Sequence, residues 1–166
     1  MLSHPTYGIQ GERAPAWGVT SWFNLPDDKP RLDIQDFEDQ VVYLYCFQSW
    51  CPGCHARGFP ALLQVMEAFT DTPDVAFVAV QTVFEGFSSN TLARAQEVAR
   101  QYHLTIPFGH DPGPDGRRSL ILQRYRTGGT PWTVIIDRAG VVRYNDFFIA
   151  PDEAVALIES LKNGSI

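Results

Sequence analysis

The stretch Val41-Val42-Tyr43-Leu44-Tyr45-Cys46-Phe47-Gln48-Ser49-Trp50-Cys51-Pro52-Gly53-Cys54-His55 decides the reading of this chain. Its first seven residues are apolar throughout and rich in β-branched and aromatic types, as in a strand covered on both faces. The next residues bring two thiols into one turn, Cys51 and Cys54, separated by Pro52 and Gly53. A Pro-Gly pair suits a tight turn that opens a helix. A cysteine at a helix N-terminus meets unpaired backbone N–H groups and the positive end of the helix dipole, which favour its thiolate. Cys51 is therefore the expected nucleophile, and Cys54, one turn further in, is placed to attack any mixed disulfide that Cys51 forms.

Other chemistry uses the same letters. A CxxC can be half of a zinc site, but the remaining candidates are Cys46 and the scattered His4, His103 and His110, with no second CxxC or HxxxH. Cys51 to His55 also spells CxxCH, the attachment pattern of c-type haem, which needs an axial partner and ordinarily an export signal; the methionines are Met1 and Met66. A structural disulfide closing so short a loop gives little chain-entropy stabilisation. Context favours redox chemistry with no metal and no cofactor beyond a redox-active disulfide. Cys46, inside the apolar run, reads as a small buried hydrophobe.

Working outward, Asp71-Thr72-Pro73-Asp74 ends a helix expected from Cys51 to about Phe69, with Leu62, Leu63, Met66 and Phe69 as its core face and Pro60 as a kink. Val75 to Val80 is a second apolar strand, so strand, helix and strand form a βαβ unit with parallel strands. Ser88-Ser89-Asn90 offers N-caps for a helix from about Thr91 to Tyr102. Ile106 to Gly109 reads as a short strand, and Arg117 to about Arg126 as a short helix. Trp132 to Ile136 and Val141 to Tyr144 flank Asp137-Arg138-Ala139-Gly140 as a hairpin, and an amphipathic helix from about Asp152 to Leu161 closes the chain. Residues 1–16 form an irregular lead-in laid over the surface, with Trp17 and Trp22-Phe23 as its anchors.

The chain has 166 residues, 45 % hydrophobic and 13 % aromatic, enough for one domain with a sizeable core. A formal charge of -6 argues against nucleic-acid partners. No run of 18 apolar residues could span a membrane, and the first residues have neither a basic start nor an apolar stretch, so a cytoplasmic protein is expected. Three cysteines in a reducing compartment fit a catalytic pair and one bystander.

The order of these features, with Trp50-Cys51-Pro52-Gly53-Cys54 at a strand-to-helix junction and Gly128-Gly129-Thr130-Pro131 opening the hairpin, resembles the thioredoxin fold. The similarity is greatest to TlpA-like thiol:disulfide oxidoreductases of the AhpC/TSA grouping, whose opening Ala14-Pro15-Ala16-Trp17 also resembles. The resemblance implies an α/β fold with a central mixed sheet flanked by helices. It implies an enzyme acting as a monomer that exchanges a Cys51/Cys54 disulfide with a protein disulfide or dithiol and is recycled by a separate reductase. It further implies a cis Thr130–Pro131 bond opposite the dithiol, with Trp50, Thr130 and Pro131 lining the substrate groove.

The chain also departs from that pattern. Tyr45 stands where thioredoxins carry a buried Asp, which leaves Glu85 and His55 as candidates for proton transfer. Pro60 follows Cys54 by six residues where the family has five, with Gly58 between, so a local bulge or altered kink is expected. Peroxiredoxins, in the same grouping, hold peroxide with a Thr and a Pro at positions here occupied by Gln48 and Leu44. Peroxidase activity through Cys51 therefore ranks below disulfide exchange, and a non-catalytic interaction module is the third reading. Arg117, Arg118, Arg124 and Arg126 gather near the Thr-Pro segment and read as a solvated face.

Overall fold

The structure is a computed structural model that describes residues 6–26 and 28–164. Met1 and His4, weighed above as ligands, and Asp27 of the turn-rich segment lie outside the described residues.

Six strands form one mixed sheet in the order β1-β4-β3-β2-β5-β6. They are β1 (Ser21–Phe23), β2 (Val41–Phe47), β3 (Val75–Thr82), β4 (Phe108–Asp111), β5 (Trp132–Ile136) and β6 (Val142–Asp146). Strand β2 lies parallel to β3, with Val41 opposite Val75 and Phe47 opposite Gln81, as the βαβ reading requires. On its other side β2 pairs antiparallel with β5, placing Cys46 beside Trp132. The end of β2 and the start of β5 therefore meet at one end of the central strands.

Every residue of β2 is buried, and alternation sends them to two cores. Val41, Tyr43, Tyr45 and Phe47 face the helices α1 (Phe59–Ala68), α2 (Leu92–Gln101) and α4 (Pro151–Lys162). Val42, Leu44 and Cys46 face Trp17, Trp132 and the short helix α3 (Leu120–Tyr125). Cys46 is thus a core residue on the face away from Tyr45, and burial pushes its thiol well above the usual range.

The structure moves several expected boundaries. Trp22-Phe23 is an edge strand, β1, antiparallel to β4, rather than an anchor in a loop. The cap of α2 is Thr91, whose side chain accepts from the Arg94 N–H, and Asn90 is free for another task. Leu63 is 37 % exposed, because α1 presents Phe59, Leu62 and Val65 to the core. Residues 8–14 do more than cover the surface: Gly11 N–H donates to the Val142 carbonyl and Val142 N–H to the Glu12 carbonyl, pairing the free edge of β6. Arg124 and Arg126 donate to the carbonyls of Ala16 and Thr6 and so fasten that lead-in.

Between the dithiol turn and α1 the chain makes a π turn, Cys54–Gly58, in which Phe59 N–H reaches the Cys54 carbonyl. This is the bulge expected from the late Pro60. Its cause is visible in Tyr45, whose hydroxyl donates to the same Cys54 carbonyl at 3.1 Å. A Cβ at Gly58 would overlap that hydroxyl and come within 2.6 Å of ring atom Cζ. A phenol at this position of β2 needs the extra room that a π turn and a glycine supply.

Candidate active site

The dithiol sits where β2 runs out. Gln48, Ser49 and Trp50 carry the chain from Phe47 to Cys51, and each is held by groups from β3 and the loop before α2. Ser49 donates through both N–H and hydroxyl to Gln81 Oε1, at 2.8 and 2.6 Å. Trp50 N–H donates to Asn90 Oδ1 at 2.9 Å, and Gln48 Oε1 accepts from Phe84 N–H at 3.2 Å. Buried amides with complete partners make a rigid platform. Gln81 and Asn90 were not foreseen as site residues, since a lone Gln in a strand and an Asn before a helix carry no signal until the strands are paired.

On this platform Cys51 and Cys54 are not joined in a disulfide. Cys51 Sγ accepts the Cys54 N–H at 3.2 Å and lies 3.5 Å from the Thr130 carbonyl. A hydrogen bond from the Cys54 thiol, helped by the Thr130 hydroxyl and the N–H groups of Cys54 and Gly53, lowers the Cys51 pKa to about 6 against the opposing effect of burial. Gln48 Nε2 approaches Thr130 Oγ1 at 3.5 Å, which leaves the hydroxyl proton free to point at Cys51. Cys54 is fully buried, and burial first, then the neighbouring Cys51 sulfur, drives its pKa far above the thiol range. The two thiols therefore have opposite characters within one turn.

Cys51 is less open than a solvent-facing nucleophile: only 8 % of its surface is exposed, because Thr130 and the walls of a groove rise around it. That groove, about 340 Å³, is lined by Trp50, Pro52, Glu85, Gly129, Thr130 and Phe147 among others. Trp50 is 65 % exposed on its rim. The Thr130–Pro131 bond is cis, and the Pro131 ring packs so closely on the turn that a Cβ at Gly53 would lie 3.2 Å from its Cδ. A larger cleft of about 530 Å³ lies at the opposite ends of β2 and β5, between Arg13, Phe37 and Arg138, far from either thiol of the pair.

The two proton-transfer candidates are placed differently. Glu85 stands exposed on the groove rim beside Cys51. His55 turns the other way: its Nε2 is 2.7 Å from the Ser49 carbonyl and its Nδ1 2.7 Å from the Tyr102 hydroxyl. A haem-ligating histidine needs a free ring nitrogen, and both are engaged here. Among the described residues no group of three His, Cys, Asp or Glu could hold a metal ion.

Residues 10–156 match the Redoxin family. The chain belongs to it. Protein DipZ of Mycobacterium bovis and of Mycobacterium tuberculosis is 25 % identical over 133 residues, which are 78 % of this chain and 17 % of that protein, so the chain spans about a sixth of the curated relatives it matches. Among solved structures, a thioredoxin-like superfamily protein is 32 % identical with a TM-score of 0.82, covering 90 % of this chain and 96 % of its own. A thiol-disulfide isomerase from Corynebacterium glutamicum is 25 % identical with a TM-score of 0.79, covering 91 % and 96 %. This Redoxin-family chain has the thioredoxin-like fold, with Cys51 and Cys54 at a strand-to-helix junction. Among the described residues no helix is long and apolar enough to cross a membrane.

Proposed function

We propose that the chain, acting as a monomer, exchanges electrons between its Cys51/Cys54 pair and disulfides in partner proteins. The Cys51 thiolate attacks one sulfur of the partner's disulfide, forming a mixed disulfide and releasing the partner's other sulfur as a thiolate. Cys54 then loses its proton and attacks Cys51 Sγ; the second partner sulfur leaves and takes up a proton. Two electrons pass from the dithiol to the partner, and a separate reductase restores the pair. In a reducing compartment such as the cytoplasm the pair runs in this direction, and the same steps reversed would oxidise a dithiol. Trp50 and Thr130 line the groove in which the partner chain would lie, while Pro131, expected there too, is not among its lining residues and packs against Gly53 of the turn instead; Glu85 on the rim is the group placed to exchange a proton with the solvent side.

The observation that carries this reading is the asymmetry of the pair: a stabilised thiolate at the floor of an open groove, and a sealed, protonated thiol in contact with it. A Cys54→Ser variant should accumulate a covalent complex with a protein disulfide, while the wild type turns it over. Hydrogen peroxide should be consumed only at the slow rate of an ordinary thiolate, since Gln48 and Leu44 build no peroxide cradle. Rapid peroxide turnover that depends on Cys51, without any trapped protein, would reverse the ranking. Absence of both activities would leave an interaction module.

A further inference from the structure

We infer that His55 is a positioning residue for the nucleophile, acting through the Ser49 carbonyl rather than by moving a proton. A carbonyl oxygen only accepts, so the 2.7 Å contact requires the hydrogen of the ring on Nε2. Nδ1 is then the acceptor, and the Tyr102 hydroxyl at 2.7 Å donates to it. One tautomer of the neutral ring satisfies both contacts: the Ser49 carbonyl selects it, and the Tyr102 hydroxyl completes it by donating to Nδ1. The imidazole is also held by stacking: its centroid lies 5.6 Å from the Phe59 ring and 5.8 Å from the Tyr102 ring, which themselves stack at 4.4 Å.

The consequence follows from where the two ends of this bridge lie. His55 is the residue after Cys54, whose N–H points at Cys51 Sγ. Ser49 is two residues before Cys51, and its N–H and hydroxyl are already fixed by Gln81. The ring therefore ties the strand side of the dithiol turn to its helix side, completing the partners of Ser49. It sets the separation between the segment carrying Cys51 and the segment carrying the N–H that stabilises its thiolate. The π turn contributes by beginning at Cys54, so that His55 lies within it.

Alkylation of reduced Cys51 by iodoacetamide across pH, with the modified residue identified by mass spectrometry, tests this. It reads the thiolate without any disulfide substrate, so it stands or fails apart from the exchange reaction proposed above, although it concerns the same pair. His55→Phe keeps a flat ring in the stack and removes both hydrogen bonds. The Cys51 profile should move to higher pH, with reactivity at pH 6 falling roughly fivefold and the high-pH plateau unchanged. His55→Gln places an amide donor near the Nε2 position and should return the profile close to wild type. Tyr102→Phe should produce a smaller shift in the same direction, about twofold, because Nδ1 loses its donor and the ring is held less firmly against the Ser49 carbonyl. A Gln variant displaced as far as the Phe variant would overturn the inference, as would profiles unchanged in all three. If His55→Phe does not fold, a wild-type profile for Tyr102→Phe overturns it and the smaller shift, with Gln near wild type, supports it.

Discussion

Cys51 and Cys54 are three residues apart in one turn, yet everything behind them differs. Cys51 looks into a groove and is met by N–H and O–H donors; Cys54 looks into the core beneath Tyr45 and Phe59, keeps its proton and donates an S–H hydrogen bond to Cys51. The contrast shows that a CxxC is made directional by the elements packed against each sulfur, not by the two cysteines themselves. The donors around Cys51 come from the turn and from the loop before β5. The seal over Cys54 comes from alternate residues of β2 and from the π turn.

The most damaging way to break the contrast is on the sealed side, at Gly58. Gly→Ala in a helix ordinarily stabilises by about 1 kcal/mol. Here the new Cβ would overlap the Tyr45 hydroxyl and ring, so Gly58→Ala should instead destabilise by about 2 kcal/mol or more in a denaturant titration. Adding Tyr45→Phe should recover only part of this, because ring atoms Cζ and Cε1 still lie 2.6 and 2.8 Å from that Cβ. A stabilising Gly58→Ala would show that the π turn has slack and that Tyr45 does not enforce it.

This region also shows how far sequence carries. Val41 to Phe47 announced a buried strand by composition alone, and the CxxC with Thr130-Pro131 announced the architecture. Pro60 and Gly58 gave notice of a bulge, but its partner Tyr45 belongs to another element, and only the packing of α1 on β2 brings them together. Gln48, Ser49, Gln81 and Asn90 were illegible for the same reason: polar side chains between apolar runs look like exposed loop until their hydrogen-bond partners, 32 to 42 residues away, are known. Trp22-Phe23 was missed as β1 because three residues are too few to show a period.

A second prediction sharpens the contrast through pH. The folded pKa of Cys51, about 6, lies below the ~8.5 of an unfolded thiol, so between these values the unfolded chain binds the extra proton. Stability from the Cys51 thiolate is then fully present above the unfolded value and is lost as pH falls through about 6. The stability difference between the reduced wild type and Cys51→Ser should therefore grow as pH rises from 6 toward 8.5. A difference independent of pH would mean that folding does not favour the Cys51 thiolate.

The smallest effect belongs to the open side. Trp50 is 65 % exposed, and its structural anchor is the backbone N–H bonded to Asn90 rather than the indole. Trp50→Ala should leave stability within about 0.5 kcal/mol of wild type, as for other surface changes that remove no buried group. The alkylation profile of Cys51 should also stay in place, because the donors that set it are Cys54, Thr130 and Gly53. What should change is the encounter with a protein disulfide: the indole stands at the mouth of the groove beside Phe147, and losing it should raise KM several-fold with little effect on kcat. If the alkylation profile moves instead, the indole is part of the thiolate's environment, and the division between a locked inner wall and a free outer rim is drawn in the wrong place.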